Sequence, residues 1–322
     1  MRLFAQICIG LCLAAACDAQ TASSCSHRTI LVNVLNGNRP LNELIPSNFH
    51  GAIHHKAVTI ASVRPATRPR RLVLLFDGSE SMRETDSKWK LANAAASMVV
   101  DNAPQDLSLC LAEFAGSTHQ LTTFKDNREV IQRELVNLNA RKRQTGSRIS
   151  ISTALLDAVA YAANFMQPTQ PGDVVLLVTD GGENHSDENV AKLHRLLLAS
   201  GIRVFSIFLQ DQTPILNPVE EQGEDNFQDL ARSTGGAELT VPSSSPGPFH
   251  ASYSVSKADF DRLNSRIRGM YLAIMSPSEL EIELPVRLTK IEEWKLQYKD
   301  DRLGKSPIQV FYPADLLPCD TK

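Results

Sequence analysis

The chain has 322 residues, a formal net charge of −3 at pH 7 and 43% hydrophobic residues. This length leaves room for one large domain and a smaller one, and the balance of apolar and charged residues is typical of a globular protein. The slightly negative charge argues against a nucleic-acid-binding protein that depends on a strongly basic surface, so no nucleic-acid partner is expected.

The first 19 residues have the features of a secretory signal peptide. Arg2 is followed by an apolar run from Leu3 to Ala16, which is too short to span a membrane. Two cleavage sites stay open. Ala14-Ala15-Ala16 suits ordinary signal peptidase, whereas Leu13 to Cys17 resembles a bacterial lipobox and would place a lipid anchor on Cys17. We therefore predict an exported protein that is secreted, periplasmic or anchored to the envelope.

Residues 20–69 are predicted to hold an N-terminal β segment and a linker. Ile30 to Leu35 and Ala57 to Val63 are β-like runs, and the segment is too small to fold alone. The stretch from Arg64 to Arg71 is basic and contains two prolines, which is typical of a stiff linker.

A short polar motif follows the first strongly apolar strand, which runs from Leu72 to Phe76. Asp77, Ser79 and Ser81 alternate along this motif, so an extended loop can direct all three side chains the same way. Carboxylate and hydroxyl oxygens without a nearby Cys or His suit Mg²⁺, Mn²⁺ or Ca²⁺ rather than zinc. Taken alone, the motif fits a helix N-cap equally well.

Two later stretches add a hydroxyl and a second carboxylate. Thr153 opens a predicted helix, and an apolar strand from Val174 ends at Asp180. With the first motif, these stretches resemble the metal-ion-dependent adhesion site (MIDAS) of the von Willebrand factor A (VWA) family, over roughly residues 71–241. The resemblance implies a divalent cation, with Mg²⁺ favoured over Mn²⁺ or Ca²⁺. It implies three hydroxyl ligands and two carboxylates that coordinate directly or through water, namely Ser79, Ser81, Thr153, Asp77 and Asp180.

One position departs from the family pattern. Family members have glycines just before the threonine, but Ile151 and Ser152 stand there in this chain. Thr153 is still the best match for the ligand, and Ser152 stays an alternative.

Strands and helices alternate between residues 70 and 245, the predicted VWA domain. This order predicts an α/β fold with a doubly wound, mostly parallel sheet and helices on both faces. The first helix of the domain is expected to bury one stripe of residues at helical spacing. The stripe contains Leu91, Ala94, Ala95, Met98 and Val99.

Residues 246–322 are predicted to form a mainly β extension that packs with residues 28–63 as a small flanking β domain. A helix is expected at Lys257 to Arg268 and a strand at Met270 to Met275. Later β-like runs enclose a hairpin turn at Asp300, Asp301 and Gly304. This arrangement is similar to that of exported acidobacterial VWA-related proteins. The similarity rests on three features of the tail: Glu293-Trp294-Lys295-Leu296, Tyr312-Pro313 and Cys319.

Three cysteines follow the predicted leader. Cys110 lies in a predicted central strand and is expected to be a buried free thiol. Cys25 and Cys319 lie near the two ends, and an exported chain permits a disulfide between them without requiring it.

The expected function is non-enzymatic adhesion, in which the metal holds an acidic residue of a protein partner. No G-x-S-x-G, H-E-x-x-H or P-loop motif occurs in the sequence. Two alternatives stay open. One is a structural envelope component with an idle metal site. The other is a metal-assisted hydrolase that uses Glu80 or Glu183 as its general base.

Overall fold

A computed structural model describes residues 26–37, 39–66, 70–83, 86–142, 152–210, 218–242, 256–304 and 307–319. Within these ranges the chain forms two large β-sheets, a two-stranded ribbon and seven α-helices. The strands are β1 (His27–Asn36), β2 (Arg39–Pro40), β3 (Phe49–Ile53), β4 (Lys56–Pro65), β5 (Arg70–Asp77), β6 (Leu107–Phe114), β7 (Thr118–Gln120), β8 (Val174–Thr179), β9 (Arg203–Gln210), β10 (Ala237–Pro242), β11 (Ser278–Glu283), β12 (Glu292–Glu293), β13 (Lys295–Tyr298), β14 (Ile308–Phe311) and β15 (Asp315–Leu316). The helices are α1 (Glu80–Arg83), α2 (Asp86–Asn102), α3 (Arg128–Lys142), α4 (Leu155–Phe165), α5 (Val190–Ser200), α6 (Pro218–Thr234) and α7 (Lys257–Met275).

The first sheet contains six strands in the order β10-β9-β8-β5-β6-β7. Strands β10, β9, β8, β5 and β6 pair in parallel, and β7 pairs antiparallel at one edge. The chain leaves β5 toward one side of the sheet and later returns to its other side with β8. The carboxyl ends of β5 and β8 therefore meet at the switch point where open α/β sheets bind ligands.

Alternate residues of β5 pack into two separate cores. Leu72, Leu74 and Phe76 lie in the core that includes residues of α2, α3 and α7. Val73 and Leu75 lie in the core that includes residues of α4, α5 and α6. Helices thus cover both faces of the sheet, and β8, between β9 and β5, is buried along its whole length.

The second sheet is built from both ends of the chain. Its order is β13-β3-β4-β11-β1-β14, with β2 paired to β1, and every pairing is antiparallel. Strands from before and after the α/β unit therefore lie side by side. This sheet has seven strands, one more than the α/β sheet. The flanking unit is larger than predicted, and the chain as a whole is not mostly parallel.

Trp294 anchors the core of the flanking sheet. Its side chain is buried, and its indole Nε1 donates a hydrogen bond to the carbonyl of Pro313 at 2.8 Å. A Cβ atom on Gly51 would lie only 3.0 Å from the Trp294 ring and 3.1 Å from Cβ of Val58. The close approach of the indole explains why β3 carries a glycine at this point.

Three local predictions from the sequence are wrong. Residues Met270 to Met275 form the last part of helix α7 rather than a strand. The predicted hairpin at Asp300 does not form among the described residues, because β13 and β14 occupy opposite ends of the sheet order. The predicted linker is partly strand, since Arg64 and Pro65 end β4 and Arg70 begins β5.

Several predictions concern residues outside the described part of the chain. These are the signal peptide, the lipid anchor at Cys17 and the pairing of Cys25. Cys319 is disulfide-bonded, and its partner lies outside the described residues. The Arg28 guanidinium, three positions after Cys25, lies 3.5 Å from Sγ of Cys319. Within the described ranges, no helix combines the length and apolar character needed to cross a membrane.

Candidate metal centre

Asp77 stands at the end of β5 with both carboxylate oxygens engaged. Oδ1 accepts a hydrogen bond from the backbone N–H of Ser79 at 2.9 Å. Oδ2 accepts one from the hydroxyl of Thr179, on the neighbouring strand, at 2.6 Å. Burial and, secondarily, the nearby charge of Asp180 raise the pKa of Asp77 to about 7. A bound cation would supply the counter-charge that this buried carboxylate lacks.

The two serine hydroxyls of the motif link the ends of two strands. Oγ of Ser79 lies 3.1 Å from Oγ of Ser81. The Ser81 hydroxyl donates to Oδ1 of Asp180, just after β8, at 3.2 Å. Because the ends of β5 and β8 lie side by side in a parallel sheet, residues 99 positions apart in sequence make direct contact.

Thr153 completes the set from a third loop. Its backbone N–H donates to Oδ1 of Asn184 at 2.8 Å, and its carbonyl accepts from the backbone N–H of Asn184 at 3.1 Å. The two hydrogen bonds fix the Thr153 loop against the loop that follows β8. Asn184 is not among the residues that the sequence analysis assigned to the site, and one chain offers no pattern that would reveal its contact with Thr153.

Three of the oxygens meet around one small space that Gly182 leaves open. A Cβ atom on Gly182 would lie 3.6 Å from Oγ1 of Thr153, 3.7 Å from Oδ1 of Asp180 and 3.8 Å from Oγ of Ser81. Thr153 supplies the nearest of these three atoms, and Ser152 supplies none of them. This favours Thr153 over Ser152 as the ligand. The structure thus brings together the five residues that the MIDAS resemblance implies, and their role as metal ligands stays a prediction.

Glu183 holds the start of α4, which follows Thr153. Its Oε2 accepts from the backbone N–H groups of Leu155 at 2.9 Å and Leu156 at 3.0 Å, and from the Ser186 hydroxyl at 2.6 Å. Its Oε1 accepts from the N–H groups of His185 at 3.0 Å and Ser186 at 2.9 Å. These five donors satisfy the carboxylate, so Glu183 is a helix cap rather than the free general base that a hydrolase needs.

Lys88 enters the site from α2 and was not predicted. Its Nζ donates to Oδ2 of Asp180 at 3.0 Å, and both side chains are buried, with 3% and 4% of their surface exposed. The sequence did contain a signal, because Lys88 precedes Leu91, Ala92 and Ala95 at the helical spacing of the buried stripe. A lysine at such a position is normally assumed to point to solvent.

Arg83 and Glu113 close one side of the site. Nη2 of Arg83 lies 3.3 Å from Oε1 of Glu113, and its guanidinium carbon lies 4.9 Å from the centre of the Trp89 ring. A Cβ atom on Gly78 would approach Oε1 of Glu113 to 2.6 Å. A side chain at position 78 would therefore push the Glu113 carboxylate away from its contact with Arg83.

The donor set suits a hard divalent cation. It consists of hydroxyl and carboxylate oxygens, which Mg²⁺, Mn²⁺ and Ca²⁺ prefer. Among the described residues there is no group of three His, Cys, Asp or Glu side chains that could hold a metal. The proposed site is of another kind, because three of its five side chains are hydroxyls. The residues that meet beside Gly182 therefore fit the implied cation in chemistry and in convergence.

A family profile for the von Willebrand factor type A domain matches residues 72–183, which include all five predicted ligands. A comparison with curated proteins finds no significant match.

Three solved structures illustrate the similarity. One is BatB from Bacteroides thetaiotaomicron, at 16% identity over 63% of this chain and 99% of that chain, with a TM-score of 0.43. Another is a von Willebrand factor type A protein from Catenulispora acidiphila, at 11% identity over 91% and 72% of the two chains, with a TM-score of 0.46. The third is proximal thread matrix protein 1 from the mussel byssus with a zinc-occupied MIDAS motif, at 17% identity over 68% and 49%, with a TM-score of 0.45. Residues 72–183 of the chain are thus similar to the von Willebrand factor type A domain family, whose model they match.

Proposed function

We propose that this protein is an exported, non-enzymatic binding module that holds an acidic side chain of a partner protein through a divalent cation. The observation that carries the proposal is the meeting of Ser81, Thr153 and Asp180 oxygens around the space beside Gly182. Residues from three separate segments of the chain supply these oxygens, as expected of a site that the fold assembles. Mg²⁺ is the favoured cation, with Mn²⁺ and Ca²⁺ as alternatives.

The composition of the site leaves room for an anionic ligand. Three of the five side chains are neutral hydroxyls and two are carboxylates, so the protein supplies no negative charge beyond what a doubly charged ion neutralises. When bound, the cation supplies a positive centre whose remaining coordination position suits a carboxylate oxygen. The chain's own contribution is to orient these donors, through Thr179 on Asp77 and Asn184 on Thr153.

Export is the second part of the proposal. The apolar leader from Leu3 to Ala16 supports it, and so does the disulfide at Cys319, since structural disulfides belong to oxidising compartments. Ordinary cleavage after Ala16 would release the module, whereas a lipid anchor on Cys17 would hold it at a membrane surface. Labelling of expressing cells with a radioactive fatty acid separates the two, because only the anchored form takes up label.

Calorimetric titration with Mg²⁺ and Mn²⁺ tests the metal site. The Thr153→Val variant keeps the shape of the side chain and removes one proposed ligand. We expect saturable binding by the mature protein and binding at least about tenfold weaker in the variant, a loss of about 1.4 kcal/mol. Thr59→Val, at an exposed position of β4, is the matched control and should bind like the wild type. Equal affinity in Thr153→Val and wild type would remove Thr153 from the site.

Acetate is a minimal probe for the acidic group of the partner. In the Mn²⁺-loaded protein, the relaxation rate of water protons reports water on the metal. We expect acetate to lower this rate by displacing metal-bound water, whereas the same concentration of chloride leaves it unchanged. If metal binds but acetate has no effect, the idle-site alternative becomes the better account.

A further inference from the structure

A cavity of about 350 Å³ lies where the edge of the α/β unit meets the flanking sheet. Residues of α6 and β10 line one side of it, and residues between Val310 and Ala314 line the other. β10 is the outermost strand of its sheet, and β9 and β8 separate it from β5. The cavity is therefore distinct from the proposed metal site. It is much larger than the roughly 30 Å³ that one water molecule occupies in the liquid, and its size is within the range of small-ligand sites.

Glu238, on β10, lines this cavity with a carboxylate that is only partly satisfied. Its Oε1 accepts a hydrogen bond from the Thr240 hydroxyl at 3.0 Å. Its Oε2 is buried and has no hydrogen-bond partner among the described residues. Burial raises the pKa of Glu238, and within the described part of the chain no cationic side chain opposes that rise. A buried acceptor without a donor costs free energy, which a ligand that brings a donor would recover.

Two other polar groups on the cavity wall are already engaged. Arg232 forms an ion pair with Glu293, in which Nη1 lies 2.5 Å from Oε1. The Tyr312 hydroxyl accepts a hydrogen bond from the backbone N–H of Leu296 at 3.0 Å. The positive charge of Arg232 is thus balanced outside the pair of Glu238 oxygens, and the Glu238 carboxylate is the charged group of the wall that lacks a counter-charge.

The rest of the lining indicates which kind of cation fits. Ala231, Val310 and Phe311 place apolar surface in the same cavity as the carboxylate. A guanidinium group binds best through both oxygens of a carboxylate, but the Thr240 hydroxyl occupies one of them. The single free oxygen suits one N–H donor of an ammonium group, and the apolar surface suits a short carbon chain attached to it.

We propose that this cavity binds an alkylammonium group, with the nitrogen at Oε2 of Glu238 and the carbon chain against Val310 and Phe311. The group belongs to a free amine or to a lysine side chain of another protein, which present the same chemistry. A charge-assisted hydrogen bond satisfies the buried oxygen and supplies the missing counter-charge. A purely structural role explains Glu238 less well, because an uncharged glutamine could accept the Thr240 hydrogen bond equally well.

Titration with n-butylammonium, followed by saturation-transfer NMR, tests the proposal. EDTA in the buffer keeps the result independent of the proposed metal site. We expect saturable binding by the wild type, and at least about tenfold weaker binding of n-butanol, which has the same chain without the charge. Glu238→Gln keeps the side-chain shape and should weaken n-butylammonium binding at least about tenfold. Glu43→Gln, at an exposed position, is the matched control and should bind like the wild type.

A second variant tests the cavity without changing its charge. Gln228 is an exposed residue of the cavity wall, and Gln228→Trp should reduce n-butylammonium binding by filling the space. A blocked glycine-lysine-glycine tripeptide distinguishes the two sources. Tighter binding of the tripeptide than of n-butylammonium would assign the cavity to a lysine side chain, and weaker binding would assign it to a free amine. No saturable binding by the wild type, equal binding of n-butylammonium and n-butanol, or undiminished binding in both variants would overturn the proposal.

Discussion

Glu183 shows how a single side chain outside the ligand set can control the site. Its carboxylate satisfies the first N–H groups of α4 and, through Ser186, ties them to the loop after β8. The helix begins two residues after Thr153, so the same contacts fix the position of the Thr153 hydroxyl. The Glu183 cap and the proposed ligand Thr153 are therefore held by the same set of contacts.

Replacing Glu183 with Gln should therefore loosen these contacts. The amide has one acceptor oxygen where the carboxylate has two, so some of the five donors lose their partner. We expect the free energy of unfolding to fall by roughly 1–2 kcal/mol in urea titrations, with weaker Mn²⁺ binding. Asp187→Asn removes a charge from an exposed residue of the same loop and should leave both values unchanged. Unchanged stability in the Glu183 variant would mean that the capping contacts are not formed in solution.

Cys110 is predicted to be chemically inert. Burial raises the pKa of its thiol to about 12, and its Sγ donates to the Thr122 carbonyl at 2.9 Å. At pH 8 roughly one protein molecule in ten thousand then has Cys110 in the reactive thiolate form. We expect no iodoacetamide adduct in the native protein by mass spectrometry and complete labelling in denaturant. A Ser47→Cys variant, with its new thiol at an exposed position, should react at once under native conditions.

The sequence revealed the site residues that alternate along one short motif or follow the end of a strand. Asp77, Ser79 and Ser81 could be grouped from their spacing, and the family resemblance added Thr153 and Asp180. Lys88 was missed because a charge on a helix is ordinarily solvent-exposed. Asn184 and Glu183 were beyond prediction as positioning residues, since their partners lie about 30 residues earlier and only the folded loops bring them together.

At the scale of elements, Arg203 joins three parts of the α/β unit. Its buried guanidinium donates to the carbonyl of Gly235 at 2.9 and 2.8 Å and to that of Ala273, in the last turn of α7, at 3.0 Å. The first contact secures the turn before β10, and the second secures the end of α7. One side chain on β9 thus holds both neighbours in place.

Arg203→Leu should weaken the docking of α7. Two buried carbonyls would lose their donors, which we expect to cost roughly 3 kcal/mol of stability. Hydrogen exchange should then speed up most in the last turns of α7 and in β10. Arg195→Leu, on the exposed face of α5, is the matched control and should change neither stability nor exchange. Equal exchange rates in α7 of the two variants would rule out this anchoring role.

Helix α7 also shows what limited prediction at this scale. From Leu263 onward its buried residues recur every three or four positions and include Ile267, Met270, Tyr271 and Ile274. Gly269 lies between the predicted helix, which ended at Arg268, and the predicted strand, which began at Met270. A Cβ atom there would meet nothing within 4 Å, so the glycine sits on the open side of the helix and is tolerated. Packing of the buried face of α7 makes residues 270–275 helical, and local helix or strand propensity does not reveal this packing.

At the scale of the whole molecule, the first and last described segments of the chain lie side by side. His27 in β1 pairs with Glu283 in β11, and the side chain of Arg28 reaches Cys319. The sequence suggested that the terminal segments pack together, but the strand order depends on long-range pairing that no short pattern encodes. The antiparallel sheet with β11 between β1 and β4 was therefore not predictable.

The convergence predicts that Cys25 is the partner of Cys319. Cys25 is three residues from Arg28, and Cys110 is a free buried thiol. We expect a peptide containing both cysteines in a non-reducing digest of the mature protein, absent from a Cys25→Ser variant. Cys110→Ser should leave the linked peptide in place. A bond from Cys319 to a second chain, seen as a covalent dimer, would contradict the pairing.

The strand order also determines when the molecule can fold. During synthesis β1 and β4 emerge first, but their shared neighbour β11 is made only after the entire α/β unit. The α/β unit can therefore fold early, whereas the flanking sheet cannot be completed until β11 has been synthesised. Until then the early strands expose unpaired edges of the kind that promote aggregation. A chain that stops before residue 278 lacks that neighbour, so this sheet can be completed only by residues that follow the α/β unit.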